Sequence, residues 1–322
     1  MSKVKVGIVG VGALGEGLVK VFAEHPLVDL VSICDIDSTK VDLTVEQYQV
    51  KGFTAHTDLL EKSDVDMVYV SVPPKWHHEV ALDVIRARKH ILCEKPLANS
   101  VEEAKELLYE AKRANIVHAM NFPLNYLTNT RKFEELIRTG FIGRLRKVEL
   151  NMQFPTWPRP WQQNQWINTR DQGGFVFEVS GHFIQLIQRF FGQISDVKSI
   201  LELPTDPTLP ETGITASMKL ANHVPIIFNG ISGTAGIDEQ KLSLTAYGTE
   251  GTISLVDLMK VKAGKIGEPY EVLPTESNHF WNELINEFVA AINGNQSELY
   301  DFQVGYDVQV VLENLRKTEI LV

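Results

Sequence analysis

The chain of 322 residues has an ordinary hydrophobic share of 44% and a formal net charge of −10. This length predicts two domains, because single cores rarely grow past about 250–300 residues. The acidic balance argues against a nucleic-acid partner, since such binding rests on Lys and Arg that neutralise phosphates. Two cysteines, Cys34 and Cys93, offer too few ligands for a metal site, and we expect none.

No segment has the ~20 consecutive apolar residues that a membrane span requires. The N-terminus lacks a signal-peptide pattern, because Lys3 and Lys5 alternate with valines before any long apolar stretch builds. Cysteines at the ends of apolar runs suit a reducing compartment. We therefore expect a cytoplasmic protein without a membrane partner.

Short apolar runs alternate with amphipathic segments in the first part of the chain. The strand-like runs are Val4–Val9, Leu27–Cys34, Asp66–Val72, His90–Cys93 and Val117–Met120. Helical patterns lie between them, and one starts at Ser100 with Glu103 three residues later, as in a capping box. This alternation predicts an α/β fold over residues 1–122, a Rossmann domain with a doubly wound parallel sheet.

The pattern changes after about Asn121. Helices are predicted near residues 127–138, 174–191, 279–292 and 303–315, and repeated strand-like runs lie between 146 and 261. These elements predict an α+β domain with a mainly antiparallel open sheet over residues 123–322. Such a sheet leaves one face uncovered, and an apolar uncovered face favours association with another copy.

Gly10, Gly12 and Gly15 form a G-x-G-x-x-G motif between the first predicted strand and the first predicted helix. The first glycine permits a tight turn, the second lets a pyrophosphate approach the backbone, and the third lets helix and strand pack closely. We expect Ala13 and Leu14 to contact the cofactor as well, at the helix N-terminus that faces the phosphates. The alternative is a glycine-rich turn without a ligand.

Asp35 ends the second predicted strand, where an acidic side chain accepts hydrogen bonds from the adenosine ribose. A carboxylate at this position repels a 2′-phosphate, and the next residue, Ile36, is not an arginine that would bind one. The sequence therefore favours NAD over NADP, with Asp35 and Ile36 near the adenosine.

Several motifs follow the glycine turn in the order and spacing of one known family. They are Val72–Glu79, Cys93–Ala98 with its Glu-Lys-Pro, Gly173–His182 with its Gly-Gly and final His, and Gly248–Thr252. With these motifs the chain resembles, over nearly its full length, the glucose–fructose oxidoreductase / inositol dehydrogenase / rhizopine catabolism (Gfo/Idh/MocA) family.

The resemblance implies that Lys95 is the catalytic lysine and His182 the acid/base histidine, with Glu178 where the family usually has Asp. It also implies a cis Lys95–Pro96 bond and a homodimer or homotetramer that forms through the open sheet face. Further cofactor contacts are expected from Val72, Pro73, His77, Glu94 and Lys95. The alternative for His77 is a capping or surface histidine.

The chemistry of hydride transfer suits these residue types. A hydroxyl that becomes a carbonyl loses a proton to an acid/base group, and a cation stabilises the developing oxyanion. Histidine is the side chain whose ordinary pKa lies near neutral, which suits His182 to this role, and Lys95 supplies a positive charge at the carboxyl edge of the sheet. Glu178, four residues before His182 on a mostly apolar helix, is placed to orient the imidazole. The alternative for Lys95 is a surface lysine before a helix, and the alternative for Glu178 and His182 is an ordinary solvated pair or a satisfied core histidine.

Four residues are expected to contact the substrate. Trp161 and Arg170 lie in a Pro/Trp-rich loop, and aromatic rings and guanidinium groups bind sugars and their hydroxyls. Gln185 stands where many sugar-oxidising members of the family have a second Asp, and Asn121 opens a segment whose family arginine is missing here. Simple packing of a long loop is the alternative for any single Trp.

These observations predict an oxidoreductase that transfers a hydride between NAD(H) and a CH–OH or C=O carbon of a small polyol, sugar or cyclitol. Two other functions stay open. One is a non-catalytic NAD-binding sensor or regulator, although the presence of both Lys95 and His182 argues against it. The other is an NAD-dependent glycosidase or isomerase with no net redox change.

Overall fold

The computed structural model of the protein describes residues 3–162, 164–317 and 319–321. The chain forms two compact units, of which the first comprises Met1–Phe122 and His279–Gln309 and the second Pro123–Asn278 and Val310–Val322. The sequence pattern predicted a single second domain over residues 123–322. By contacts, His279–Gln309 belongs to the first unit, because its helix Phe280–Ile292 packs against the first helix of the chain.

A six-stranded, all-parallel sheet in the order β3-β2-β1-β4-β5-β6 forms the centre of the first unit. Its strands are β1 (Val4–Val9), β2 (Val28–Cys34), β3 (Lys51–Phe53), β4 (Met67–Val70), β5 (His90–Cys93) and β6 (His118–Met120). The connecting helices are α1 (Ala13–Glu24), α2 (Ser38–Tyr48), α3 (His56–Lys62), α4 (His77–Arg86) and α5 (Val101–Ala114). The prediction of a doubly wound parallel sheet is confirmed.

The central strands are buried on both faces, which is why they read as continuous apolar runs. All four residues of β4 are buried, for example. Helix α5 begins where the capping box predicts, since the Ser100 hydroxyl accepts a hydrogen bond from the Glu103 backbone N–H at 3.2 Å. The Glu103 carboxylate accepts in turn from the N–H of Asn99 rather than Ser100, at 3.0 Å.

The second unit contains a nine-stranded sheet in the order β14-β13-β12-β11-β7-β10-β9-β8-β15. Its strands are β7 (Leu145–Phe154), β8 (Ile194–Leu203), β9 (Gly213–Leu220), β10 (Pro225–Ser232), β11 (Lys241–Gly248), β12 (Gly251–Val256), β13 (Lys260–Lys265), β14 (Glu271–Leu273) and β15 (Glu319–Leu321). The pairs β7/β10 and β8/β15 are parallel and the others antiparallel, so the predicted mainly antiparallel sheet is confirmed.

The later helices are α6 (Thr128–Arg138), α7 (Phe175–Glu178), α8 (Ser180–Phe191), α9 (Phe280–Ile292) and α10 (Phe302–Leu315). Of these, α6 packs against β12 and β13 within the second unit. Among the residues described, no helix combines the length and the apolar character needed to cross a membrane.

The two faces of the second sheet differ in polarity. Val148, Leu150, Met152 and Phe154 of β7 are fully buried on one face, with an exposure of 0%. The alternate residues of β7 and β9 are mostly polar, including Lys147, Glu149, Asn151, Gln153, Ser217 and Lys219, whereas β10 contributes Ile227 and Ile231 as well as Asn229 to this face. On β7 and β9 the open face is therefore polar rather than apolar, because period-2 alternation places the polar residues there.

Close packing requires glycine at two positions of the first turn, Gly10 and Gly15, whereas Gly12 borders open space. A Cβ at Gly15 would lie 2.1 Å from the Gly10 carbonyl oxygen, and one at Gly10 would lie 2.5 Å from the Ser71 carbonyl oxygen. Gly10 also has a φ of 97°, which favours glycine. A Cβ at Gly12, by contrast, has no atom within 4 Å. The turn thus packs tightly behind Gly12 and leaves room in front of it.

We predict opposite effects for two alanine substitutions in helix α1. Gly15→Ala should lower the free energy of unfolding by about 1–3 kcal/mol, because its Cβ would collide with a backbone carbonyl. Gly17→Ala, the matched control, should raise it by about 0.5–1 kcal/mol, because Gly17 is exposed and its Cβ would meet nothing within 4 Å. Urea unfolding of the two variants and the parent measures both, and equal effects would contradict the packing argument.

Candidate functional site

The glycine turn lies at the carboxyl edge of the parallel sheet, beside the point where the strand order reverses. The Gly10 N–H donates to the Cys34 carbonyl at 2.8 Å, and the Ser71 hydroxyl donates to the Gly10 carbonyl at 2.6 Å. Helix α1 begins directly after Gly12, so its positive N-terminal end faces the open space. This arrangement fits the phosphates of the expected dinucleotide. Ala13 and Leu14 start the helix as expected, but their side chains lie outside the described part of the structure.

Asp35 lies next to this turn. Its Oδ2 accepts a hydrogen bond from the Val11 N–H at 2.9 Å, and its Oδ1 accepts from the Asp37 N–H at 3.0 Å. The carboxylate is half-buried, whereas Ile36 is 93% exposed. Asp35 therefore fixes the glycine turn and presents a negative charge beside it.

His77, the first residue of α4, is buried between two backbone segments. Its Nδ1 lies 2.6 Å from the Pro96 carbonyl oxygen and its Nε2 lies 2.8 Å from the Val72 carbonyl oxygen. Burial lowers the pKa of the imidazole to about 4, so the ring is neutral near pH 7 and donates to one carbonyl at a time. The ring thus joins the segment Val72–Pro73 to the loop that follows β5, and both segments adjoin the predicted cofactor site.

Lys95 follows β5 at the same sheet edge, and its bond to Pro96 is cis, as the family resemblance implied. Glu94, expected at the cofactor, is instead buried with Tyr69 and Asn121. Its Oε1 accepts from the Tyr69 hydroxyl and the Asn121 Nδ2, each at 2.5 Å, and its Oε2 accepts from the Lys95 N–H at 3.2 Å. Burial raises the pKa of the Glu94 carboxyl, and the charge of Lys95 opposes this rise. We call Tyr69, Glu94 and Asn121 the Glu94 cluster.

Asn121 occupies this cluster rather than an open substrate surface. Its side chain is 1% exposed, and its backbone N–H donates to the Cys93 carbonyl at 2.7 Å. Its Oδ1 has no hydrogen-bond partner among the described residues. Burial and the Glu94 carboxylate raise the pKa of the Tyr69 hydroxyl well above its usual value, so Tyr69 stays a donor. The cluster therefore fixes the backbone that carries Lys95.

The motif helix of the second unit is interrupted. The sequence predicted one helix over 174–191, but α7 ends at Glu178 and α8 starts at Ser180, with Val179 between them. The Ser180 hydroxyl donates to the Val176 carbonyl, and the His182 N–H donates to the Val179 carbonyl at 3.3 Å. His182 is half-buried in the first turn of α8.

Glu178 is held by an arginine that the sequence analysis did not select. Its Oε2 accepts a hydrogen bond from the Arg159 Nη2 at 2.9 Å, and both side chains are largely buried. Arg159 comes from the loop that contains Trp161, whose ring is 59% exposed. The aromatic residues of this loop are evident in the sequence, but no sequence signal indicates that Arg159 pairs with Glu178.

The other two expected substrate residues are engaged by the protein itself. Gln185 is 2% exposed, and its Oε1 accepts from the Asn125 Nδ2 at 2.9 Å. Arg170 donates from Nε to the Leu209 carbonyl and from Nη2 to the Pro204 carbonyl, both at 2.9 Å. The geometry gives Arg170 a structural role in the loop before β9, so we assign it no substrate contact.

Glu211 is a second residue that the sequence analysis missed. It is 3% exposed, and its Oε1 accepts from the Val176 N–H at 2.7 Å, at the start of α7. A Cβ at Gly174 would lie 2.4 Å from its Oε2, which explains the glycine there. Burial raises the pKa of the Glu211 carboxyl to about 7. The hydrogen bond from the Val176 N–H has the opposite, smaller effect on this pKa.

The expected residues thus divide between the two units. In the first unit the structure brings the glycine turn, Asp35, His77 and Lys95 to one sheet edge, as the hydrogen bonds between consecutive strand ends show. In the second unit it brings Glu178 to the Trp161 loop. No group of three His, Cys, Asp or Glu residues suitable for a metal ion occurs in the described part of either unit.

Comparisons with known proteins match both halves of the chain to one family. A family model described as "Oxidoreductase family, NAD-binding Rossmann fold" matches residues 4–122. Its companion, described as "Oxidoreductase family, C-terminal alpha/beta domain", matches residues 134–318. Both models carry the family designation GFO_IDH_MocA.

The individual relatives described next have low sequence identity to this chain. Levoglucosan dehydrogenase of Pseudarthrobacter phenanthrenivorans is 24% identical over 322 residues, which cover 95% of this chain and 80% of that protein. A glycosyl hydrolase family 109 protein of Shewanella woodyi is 35% identical over 155 residues, 45% of this chain and only 33% of that protein. The crystal structure of the WlbA dehydrogenase from Bordetella pertussis, in complex with NADH and UDP-GlcNAcA, has a TM-score of 0.85 at 18% identity. It covers 98% of this chain and 96% of that one, and it shows a shared fold.

The raised pKa of Glu211 predicts a pH dependence of stability. The folded protein retains the Glu211 proton up to about pH 7, whereas the unfolded chain releases it near 4.5. The free energy of unfolding should therefore fall as pH rises through this window, by about 3 kcal/mol from this group. Glu211→Gln keeps an acceptor for Val176 but does not ionise, so its unfolding free energy should fall less between pH 5 and pH 8.

Urea unfolding at several pH values measures this difference. Glu239→Gln, which removes a carboxylate from an exposed position, serves as the control and should follow the parent protein. If Glu211→Gln shows the same pH dependence as the parent, the buried carboxyl does not titrate as argued.

Proposed function

The chain belongs to the Gfo/Idh/MocA oxidoreductase family, whose N-terminal domain is an NAD-binding Rossmann domain, and from this premise we propose that it is an NAD-dependent dehydrogenase. The reaction transfers a hydride between NAD(H) and a CH–OH or C=O carbon of a small polyol, sugar or cyclitol. Residues 1–122 hold the dinucleotide, and residues 123–322 recognise the substrate and mediate self-association into a homodimer or homotetramer.

One observation supports this proposal above the others: the glycine turn, Asp35 and Lys95 lie at the same edge of one parallel sheet. The Ser71 N–H donates to the Val9 carbonyl and the Glu94 N–H donates to the Val70 carbonyl, so the ends of β1, β4 and β5 are consecutive. Ligands of open α/β sheets bind at this edge, where the strand order reverses. The turn would hold the phosphates of a bound dinucleotide, and Lys95, at the same edge, would be available to its nicotinamide half.

Lys95 is proposed as the cation that stabilises negative charge on the substrate oxygen. The bound nicotinamide accepts or donates the hydride. In the oxidative direction the C–H bond breaks with its electron pair, the hydroxyl proton leaves, and the carbon becomes a carbonyl. Lys95 suits this role because the Glu94 cluster fixes the backbone from which its side chain extends at the sheet edge.

His182 is proposed, within the second unit, as the group that accepts the hydroxyl proton and returns it in the reverse reaction. Its half-buried position in the first turn of α8 is compatible with contact to a ligand. Glu178, four residues earlier, is proposed to orient the substrate or the imidazole, and its ion pair with Arg159 fixes the position of its carboxylate.

The proposed substrate class is a sugar or a related polyol. The Trp161 ring is exposed next to Arg159, a combination that suits stacking against the C–H face of a sugar. The name of the relative levoglucosan dehydrogenase supports the same class. Absorbance of NADH, followed on a panel of sugars, polyols and cyclitols, tests the proposal, and a panel without any NAD reduction or NADH oxidation would reject it.

A second candidate function retains the NAD but gives no net redox change, as in a glycosidase or isomerase that oxidises its substrate transiently. The match to glycosyl hydrolase family 109 proteins favours this candidate over the sensor hypothesis. Product analysis by mass spectrometry on a glycoside panel separates it from the dehydrogenase, because product would form without net NADH.

We predict that Lys95→Ala lowers kcat by about 10²–10⁴-fold, because the developing oxyanion loses its cation. The dissociation constant for NAD should change little, since the turn and Asp35 hold the dinucleotide. Steady-state kinetics and calorimetry measure the two quantities. Lys105→Ala, on the exposed face of α5, is the control, and full activity of Lys95→Ala would refute the assigned role.

We also predict that Asp35→Ala weakens NAD binding more than NADP binding, because the carboxylate accepts from the ribose of NAD and repels a 2′-phosphate. Asp35→Asn retains one oxygen, which can still accept from the Val11 N–H, and so separates the loss of charge from the loss of the contact to the glycine turn. Calorimetric titration of both dinucleotides gives the ratio of affinities. An equal decrease for NAD and NADP would show that the ribose contact is wrongly placed.

A further inference from the structure

Arg159 and Glu178 form a largely buried ion pair in the second unit. The Arg159 Nη2 lies 2.9 Å from the Glu178 Oε2, and the side chains are only 17% and 10% exposed. The Nε of Arg159 donates to the Gln162 Oε1 at 3.0 Å, and the backbone N–H of Arg159 donates to the same oxygen at 3.1 Å. Two contacts on different atoms fix the plane of the guanidinium, so this arginine is built into the loop.

Two tryptophan rings flank the guanidinium. Its central carbon lies 5.6 Å from the centre of the Trp157 ring and 4.6 Å from that of Trp161. Trp157 is anchored, because its Nε1 donates to the Ile167 carbonyl at 3.2 Å and its ring contacts Phe175. Trp161 is exposed, so the fixed ion pair lies beside an accessible aromatic surface.

The charges of the pair restrict what binds there. The carboxylate of Glu178 neutralises the guanidinium, so an anionic ligand would gain little from Arg159 and would be repelled by Glu178. A neutral hydroxyl has no such conflict, because it donates to a carboxylate oxygen and accepts from a guanidinium N–H. Arg170, the other arginine of this loop, donates to the carbonyls of Pro204, Asp206 and Leu209 and supplies no second cation.

We propose that the Arg159–Glu178 pair is the specificity determinant of this site and that it selects neutral polyhydroxylated substrates over those that carry a carboxylate. The inference rests on the proposed function, since it names the substrate class of that same site. A hydroxyl pair of the substrate binds the two charged groups together, and the C–H face of the ring stacks on Trp161. Sugar acids and sugar nucleotides with an acidic ring are excluded by the carboxylate of Glu178.

The test compares neutral sugars with their acids in matched pairs, glucose with glucuronate and galactose with galacturonate. Binding to the NAD-loaded protein is followed by tryptophan fluorescence, and turnover by NADH absorbance. The parent protein should bind the neutral sugars at least about tenfold more tightly. Glu178→Gln leaves Arg159 unopposed and should shift the ratio towards the acids by about tenfold or more.

Two further variants make the result specific. Arg159→Gln leaves the carboxylate unopposed, so it should shift the ratio in the opposite direction, further against the acids. Glu135→Gln removes a carboxylate from the exposed pair with Lys132 and should leave the ratio unchanged. Thermal unfolding verifies that each variant is folded. If one of the two charge variants does not fold, the direction of the shift in the binding ratio of the other still tests the proposal.

The inference is overturned if the parent binds acids as well as neutral sugars, if it binds no neutral sugar, or if the charge variants leave the ratio unchanged. The proposed function fails separately. In that case the neutral sugars bind with the expected preference, but no substrate changes the NADH absorbance and no product is formed.

Discussion

A carboxylate that leaves water must find hydrogen-bond donors or positive charge inside the protein, and three glutamates of this chain are placed under that constraint. Glu94 is surrounded by Tyr69, Asn121 and the N–H of Lys95. Glu178 binds Arg159, and Glu211 binds the N–H of Val176. Each of these partners belongs to a segment that the proposed function uses, so the need to satisfy buried charge also fixes the geometry of the site.

The same constraint explains why the expected residues and the observed ones differ in part. Periodicity predicted both sheets, because it reports which residues are buried and a sheet buries alternate or continuous runs. The glycine turn and Asp35 were predictable because they match a known fingerprint, in which a glycine-rich turn joins a strand to a helix and an acidic residue follows about 20 residues later. The partners Tyr69 and Glu94, by contrast, are 25 residues apart, and Glu178 and Arg159 are 19 apart. No local pattern encodes such pairs. The sequence therefore predicted Arg170 as the substrate-binding arginine of the loop and did not predict a role for Arg159.

The break at Val179 was also invisible to the hydrophobic pattern. The segments 175–179 and 183–187 are apolar apart from Glu178 and Gln185. The apolar pattern therefore continues without interruption across α7 and α8. The break coincides instead with the Ser180 hydroxyl, which bonds to the Val176 carbonyl, while the Glu211 carboxyl accepts from the Val176 N–H at the start of α7. These contacts place His182 in the first turn of a new helix rather than in the middle of a long one. Bonds from a serine hydroxyl to the carbonyl one turn earlier slightly destabilise a helix and often bend it, which the apolar pattern does not report.

The parallel pair β7/β10 within an otherwise mostly antiparallel sheet has a consequence for how such a protein can diversify. A parallel pair cannot be closed by a tight hairpin, so the chain must leave β7 and travel far before β10 returns beside it. The Pro/Trp-rich loop opens this excursion, and α7, α8, β8 and β9 follow it before the chain reaches β10. The buried helices and the two strands are parts of the scaffold, whereas the loop before α7 can be exchanged, by evolution or by loop grafting, in a way that would alter selectivity while the sheet stays the same.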